Sequence, residues 1–278
     1  MTTLATLWPQ YRSARPEVID WRRNETAWLG FPTLHPLTRR TLTDDRVAAA
    51  IKARLRDASP STVRRDLAAL AAFWKWCVRK HELDAMPQYD APPESAPRHR
   101  WLTETEIGKI WWALDDVPKE IAGPIRLAFL TGQRIGACIS LKWEQVDGPV
   151  IDFNRGMTRR NKRRAALPIT PNVQAVLDSV TKHGPHVFHK RGSFSHVTYG
   201  TVANWWEQAL EKAGIEQCSL HTIRHSVATQ LVAAGVPILE VSKMLGHSSV
   251  VITEKVYAKF SPEFASAAMA QMGRLVGR

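Results

Sequence analysis

The chain has little cysteine, little acidic charge and no long apolar run. Its three cysteines, Cys77, Cys138 and Cys218, are widely spaced among 278 residues and form no Cys-x-x-Cys pair. That pattern excludes a disulfide framework and a zinc ribbon, and leaves ordinary buried thiols as the expectation. No stretch approaches the roughly 20 apolar residues that a membrane-spanning helix needs, so no membrane-spanning role is expected. The opening segment, MTTLATLWPQYRSARPEV, lacks the basic-then-apolar order of a secretion signal. The expected location is therefore the cytoplasm. Acidic residues number 26 against 38 Lys and Arg, for a formal charge of +12. This balance favours a polyanionic partner, although composition alone does not separate nucleic acid from an anionic membrane surface.

Apolar residues make up 44% of the chain, enough to bury sizeable cores, and the length suits two domains. The break between them is expected in MPQYDAPPESAPRHR, residues 86–100, where four prolines interrupt the apolar periodicity. The expected domains are 1–97, including a linker from about residue 87, and 98–278. Before the linker, SPSTVRRDLAALAAFWKWCVRKH opens on capping residues and repeats apolar side chains at Val63, Leu67, Leu70, Ala71, Trp74 and Val78, the spacing of an amphipathic helix. Arg64, Arg65, Lys75, Arg79 and Lys80 lie on its other face, and TDDRVAAAIKARLRD upstream reads as a second helix with a basic side. Both a solvated face and a DNA-contacting face fit these charges.

After the linker, Thr103 and Glu106 form a capping-box pattern. Gly132 suits the left-handed residue that ends a helix over EIAGPIRLAFLTG. RIGACISLKW resumes helical spacing through Ile135, Ile139 and Leu141, placing Arg134 at a helix start. VIDF and RAALPI flank NRGMTRRNKR as short strands joined by a basic turn, the one sheet expected. Helices resume over TYGTVANWWEQALEKAG, HTIRHSVATQLVAAG and ILEVSKMLG, stopped by Gly214, Gly235 and Gly246. The fold class is thus mainly α, with a small antiparallel sheet in the second domain.

Five features carry candidate chemistry: Arg134, the basic turn around Lys162, the pair His221 and Arg224, His247, and Tyr257. Each alone is weak, since such residues usually serve packing or the surface. Taken in order, however, three segments resemble those of the tyrosine recombinase (phage integrase) family. LAFLTGQRIGACISLKWEQVD is similar to its first-arginine segment, LHTIRHSVATQLVAAGV to its His-x-x-Arg segment, and LGHSSVVITEKVYAKF to its histidine and tyrosine-nucleophile segment. The helical region around SPSTVRRDLAALAAFWKWC is similar to the core-binding domain that precedes the catalytic domain in that family.

The resemblance implies a metal-independent enzyme without cofactor that cuts and rejoins duplex DNA through a 3′-phosphotyrosine. Tyr257 is then the nucleophile, whose unperturbed pKa of about 10 calls for nearby cations and a base. Arg134 and Arg224 would meet the charge on the nonbridging oxygens with planar forks. His221 would assist proton transfer at the attacking oxygen, and His247 would hydrogen-bond the phosphate. A lysine with a lowered pKa would protonate the leaving 5′ oxygen. Lys162 is the expected donor, although counting back from Leu167 and Pro168 places the family's usual lysine position nearer Arg160. Arg159, Arg160, Arg163 and Arg164 fit phosphate anchors or a solubilising turn. Implied partners are double-stranded DNA, copies of the chain associating as a tetramer on DNA in the cytoplasm of a bacterial host, and DNA-bending accessory proteins.

Two departures stand out. Many family members have an acidic residue three after the first arginine, where this chain has Ala137, so another group must orient Arg134 or its neighbours. The interval from His247 to Tyr257 is also one residue longer than usual. The last segment, SPEFASAAMAQMGRLV, places Phe264, Ala268, Met272 and Leu275 on one helical stripe that suits either its own core or a neighbouring subunit. Competing readings are a noncatalytic DNA-binding protein, a relaxing enzyme of the type IB topoisomerase kind, and metal-dependent cleavage. The last wants a carboxylate cluster, and Glu104, Glu106, Asp115 and Asp116 read better as caps and solvated ends. His221 and His225, four apart, lack a following Glu and a third ligand. The first 97 residues are expected to be used fully by the core-binding unit.

Overall fold

The computed structural model describes residues 2–18, 21–94, 100–156, 165–190 and 192–246. The chain divides into two compact units, Met1–Arg98 and His99–Arg278.

In the first unit, α1 (Leu4–Ser13), α2 (Arg22–Leu29), α3 (Asp44–Arg54) and α4 (Pro60–Arg79) enclose an aromatic core. Thr3 opens α1 with a reciprocal capping box to Thr6, and Ser59 with Pro60 opens α4. Trp8 stacks on Trp28 at 4.7 Å, and Phe73 meets Trp8 edge-on at 5.1 Å, both arrangements that suit the ring quadrupoles. The buried face of α4 is wider than the expected stripe: Asp66, Phe73, Trp76 and Cys77 are buried beside Val63, Leu67, Leu70 and Trp74, while Ala71 and Val78 sit at the edge. Packing against both α1 and α2 accounts for the extra width. Asp66 is admitted to this core because Arg54 on α3 donates to it twice, at 3.1 and 3.3 Å.

The proline-rich segment begins docked on this unit. Met86 and Tyr89 pack against the aromatic core, Asp44 accepts from the Gln88 backbone at 2.8 Å, and Arg64 donates to the Pro92 carbonyl at 3.0 Å. Arg64 is thus partly engaged by its own chain.

The second unit contains α5 (Glu104–Ala113), α6 (Lys119–Thr131), α7 (Ile135–Ile139), β1 (Val146–Asp147), β2 (Val150–Asp152), β3 (Ala166–Pro168), α8 (Pro171–Asp178), α9 (Tyr199–Ala213), α10 (His221–Ala233) and α11 (Ile238–Leu245). The capping box of Thr103 and Glu106 forms as expected. The sheet is antiparallel in the order β1, β2, β3, with Ile151 opposite Val146 on one side and Leu167 on the other. It has one strand more than expected, because the two-residue β1 is too short to show a period. The helix after Arg134 is shorter than expected, ending at Ile139 rather than running on to Leu141.

The core of this unit joins Ile110, Ile125, Phe153, Phe188, Trp206 and Ile223. Gly123 on α6 lies so close to Phe188 that a Cβ there would stand 2.2 Å from the ring. Leu102 is fixed to α10 by its N–H to Ser226 Oγ at 2.7 Å and its carbonyl from Gln230 at 3.1 Å. Of the cysteines, Cys77 and Cys138 are buried and Cys218 is half-buried; burial pushes the Cys77 thiol up to about 12.

Candidate active site

The site grows from the end of α6. Gly132 takes the left-handed conformation, φ 64°, which stops the helix. Two residues later Arg134 is extended at the N-terminal cap of α7, with φ −61° and ψ 133°. The closeness of α11 reinforces the need for glycine, since a Cβ on Gly132 would meet Leu245 Cδ2 at 2.6 Å. Arg134 is half-buried, and its Nη1 is enclosed without a hydrogen-bond partner among the described residues. A guanidinium nitrogen enclosed from water, with no acceptor among the described residues, suits an anion.

Arg224, one turn into α10, is 4% exposed. Its Nη1 donates to the Gly132 carbonyl at 3.1 Å and its Nη2 to the Leu245 carbonyl at 2.8 Å. These are C-terminal carbonyls of α6 and α11, the negative ends of two helices, so the cation neutralises both and is held rigidly. His221 opens α10 with its ring edge-to-face against His225, centroids 4.8 Å apart. Although His221 keeps one side open to solvent, loss of hydration around its ring, followed by the charges of His225, Arg224 and Arg134, pushes its pKa down to about 4. Its imidazole is therefore neutral near pH 7 and able to accept a proton.

Arg134, His221 and Arg224 are thus brought into one electrostatic neighbourhood. Gly246 ends α11 in the left-handed conformation, φ 69°. His247 and Tyr257 follow it and lie outside the described residues, as do Lys162, Arg159, Arg160, Arg163 and Arg164 in the connection between β2 and β3. The start of that connection is tied down by Arg155, which donates to the Glu144 carbonyl at 2.9 Å and to Asp147 at 2.6 Å. Arg64, Arg65, Lys75 and Arg79 belong to the other unit, exposed on α4.

Ala137 is buried, with its backbone N–H on the Arg134 carbonyl at 2.7 Å. The residue sequence reasoning passed over is Gln133, 1% exposed, whose Nε2 donates to the Met244 carbonyl at 2.7 Å. A polar side chain between the helix-ending glycine and an arginine was the available signal. Among the described residues, no group of three His, Cys, Asp or Glu side chains is placed to hold a metal, and no helix is long and apolar enough to cross a membrane.

The family model of the phage integrases matches residues 100–263, more than half of the chain and all of the span from Arg134 to Tyr257. The chain belongs to the phage integrase family. It is 27% identical to the integrase of Salmonella phage P22 over 78% of the chain, and spans 57% of that protein. It is 27% identical to a tyrosine recombinase of Thermosipho africanus, covering 69% of this chain and 70% of that protein. Against the tyrosine recombinase XerC of Herpetosiphon aurantiacus the identity is 22%, over 80% of this chain and 76% of the relative.

Solved integrases share the fold across both units. A lambda integrase dimer bound to a COC′ core site superposes with a TM-score of 0.74 at 17% identity, covering 92% of this chain and 77% of that one. The Tn1549 transposon integrase in complex with transposon right-end DNA gives 0.77 at 16% identity, covering 98% and 100%. A lambda integrase tetramer bound to a Holliday junction gives 0.73 at 18% identity, covering 90% and 78%. The expected mainly helical architecture with its small antiparallel sheet is the one found.

Proposed function

We propose that this integrase-family chain is a site-specific recombinase that cuts and rejoins duplex DNA through a 3′-phosphotyrosine on Tyr257. The observation that carries the reading is the partly enclosed cationic pair Arg134 and Arg224 beside a neutral His221, with Arg134 Nη1 left open among the described residues. Such a site attracts a phosphate diester and supplies a base next to it.

In this reading the Tyr257 oxygen attacks phosphorus, its proton passes to His221, and the bond from phosphorus to the 5′ oxygen breaks. Lys162 gives that oxygen its proton. The charge that builds on the nonbridging oxygens is met by Arg134 and Arg224, whose guanidinium groups stay ionised at every relevant pH. His247 adds a hydrogen bond to the same phosphate. The diester energy is kept in the phosphotyrosine, so rejoining to a second 5′ hydroxyl reverses the steps without a cofactor.

Residues 1–97 are assigned as the core-binding domain and 98–278 as the catalytic domain. Arg64, Arg65, Lys75 and Arg79 on one, with Arg159, Arg160 and Arg163 on the other, contact backbone phosphates. Tetrameric assembly on DNA in the bacterial cytoplasm completes the proposal, supported by the tetramer seen for lambda integrase on a Holliday junction.

The test is covalent-complex formation in EDTA, read as SDS-resistant bands on nicked duplexes tiled from DNA flanking the gene. Wild type is expected to give the band and Tyr257→Phe to bind the same duplex without it, since only the nucleophilic oxygen is removed. Specific binding by wild type with no band would replace this reading with a noncatalytic DNA-binding protein. Relaxation of supercoils without exchange between two sites would favour topoisomerase chemistry.

A further inference from the structure

We propose that Gln133 is a positioning residue that latches the end of α11 to the segment carrying Arg134, and thereby fixes Arg134 relative to the chain that leaves α11 toward His247 and Tyr257. The inference rests on the recombinase reading above.

Helix α11 ends with carbonyls that have no partner within the helix. Two of them are taken up from outside: Met244 by Gln133 Nε2 at 2.7 Å and Leu245 by Arg224 Nη2 at 2.8 Å. Arg224 also holds the Gly132 carbonyl, and Leu245 fills the space that glycine leaves at 132. The turn 132–134 and the end of α11 are therefore keyed together on consecutive residues of both. Gln133 sits between a left-handed glycine and an extended arginine, so a shift of its side chain is transmitted directly to Arg134.

The chemistry of the side chain argues against a filler. Gln133 is almost fully buried and its Oε1 has no partner among the described residues, a cost that an apolar side chain of the same length would not incur. What the amide supplies, and an apolar side chain of that length does not, is an uncharged donor. It can hold a carbonyl beside two arginines without competing with a phosphate for either of them, as a carboxylate would. With Ala137 in place of an acidic group, this neutral latch is what orients Arg134.

Gln133→Met keeps the length, removes the donor and leaves no polar atom behind. Hydrogen exchange of the DNA-free protein reads the latch without any catalysis: amides of 241–246 are expected to exchange about tenfold faster in the variant, with α9 unchanged. On the tiled duplex that wild type cleaves, the variant should bind with its affinity kept within about twofold but form the covalent complex at least roughly tenfold more slowly at saturation, as expected of a misplaced catalytic cation. That deficit should shrink when the scissile phosphate is replaced by an uncharged methylphosphonate, because the reaction then leans less on Arg134; a general loss of folding would not show this relief.

Unchanged exchange overturns the latch. Faster exchange with an unaltered cleavage rate overturns the positioning role, as does a slowing that the methylphosphonate leaves intact. Wild type that binds specifically without forming the covalent complex overturns the recombinase reading instead, and the exchange result still decides the latch.

Discussion

His221 and Arg134 come from segments 87 residues apart, yet the charge of one is felt by the ring of the other. In the DNA-free protein the His221 ring, followed by NMR, is expected to titrate near about 4, and Arg134→Ala is expected to raise that midpoint by removing one of the cations that oppose protonation. A midpoint unmoved by the substitution would separate the two side chains. The unfolded chain takes up this proton near the ordinary histidine value of about 6.5, so it binds more protons than the folded chain between there and about 4. The contribution of His221 to stability is thus complete above that window and is lost as pH falls through it. Arg134, His221 and Arg224 were singled out in the sequence by the resemblance of their segments to the recombinase family, while helix spacing and glycine stops placed them only at helix starts. Gln133 was passed over, because its place between Gly132 and Arg134 marks only a polar side chain, while the carbonyl it holds lies 111 residues away on α11.

Among the elements, α6 carries the tightest constraint. Gly123→Ala would gain helix propensity of about 1 kcal/mol, but its new methyl group would run into the fully buried Phe188 ring, which has no room to withdraw. Overpacking wins, and denaturant unfolding should show a net loss of about 2 kcal/mol. Helices with a clear stripe and a cap, α4, α5 and α9, were readable in advance. The separate helices α1 and α2 were not, because they are only 10 and 8 residues long and the first contains Pro9. Their helical state depends on Trp8 stacking on Trp28 and on both meeting Phe73 edge-on, contacts that form only once the chain is folded. Likewise α8 (Pro171–Asp178) announces itself only by the Thr170 cap and the proline that follows. Strand β1 owes its existence to pairing with β2 rather than to its own two residues.

For the whole molecule, with its formal charge of +12, the salt response of the proposed DNA binding is set by how many phosphates the basic side chains neutralise. If Lys75 and Arg79 each meet a phosphate, the double alanine variant should weaken DNA binding by a similar factor on matched and unmatched sequences. It should also flatten the slope of log affinity against log salt by roughly 2, about one unit for each phosphate no longer neutralised. A change confined to one sequence would assign these side chains to base recognition instead. The burial of Arg224 between two helix ends bears on inheritance. Because this guanidinium neutralises both of those ends, alleles altered at 224 should yield little surviving protein and behave as recessive. Alleles altered at Arg134, whose side chain closes no helix, should leave a stable polypeptide that occupies the recombination site and interferes with intact copies in the same cell.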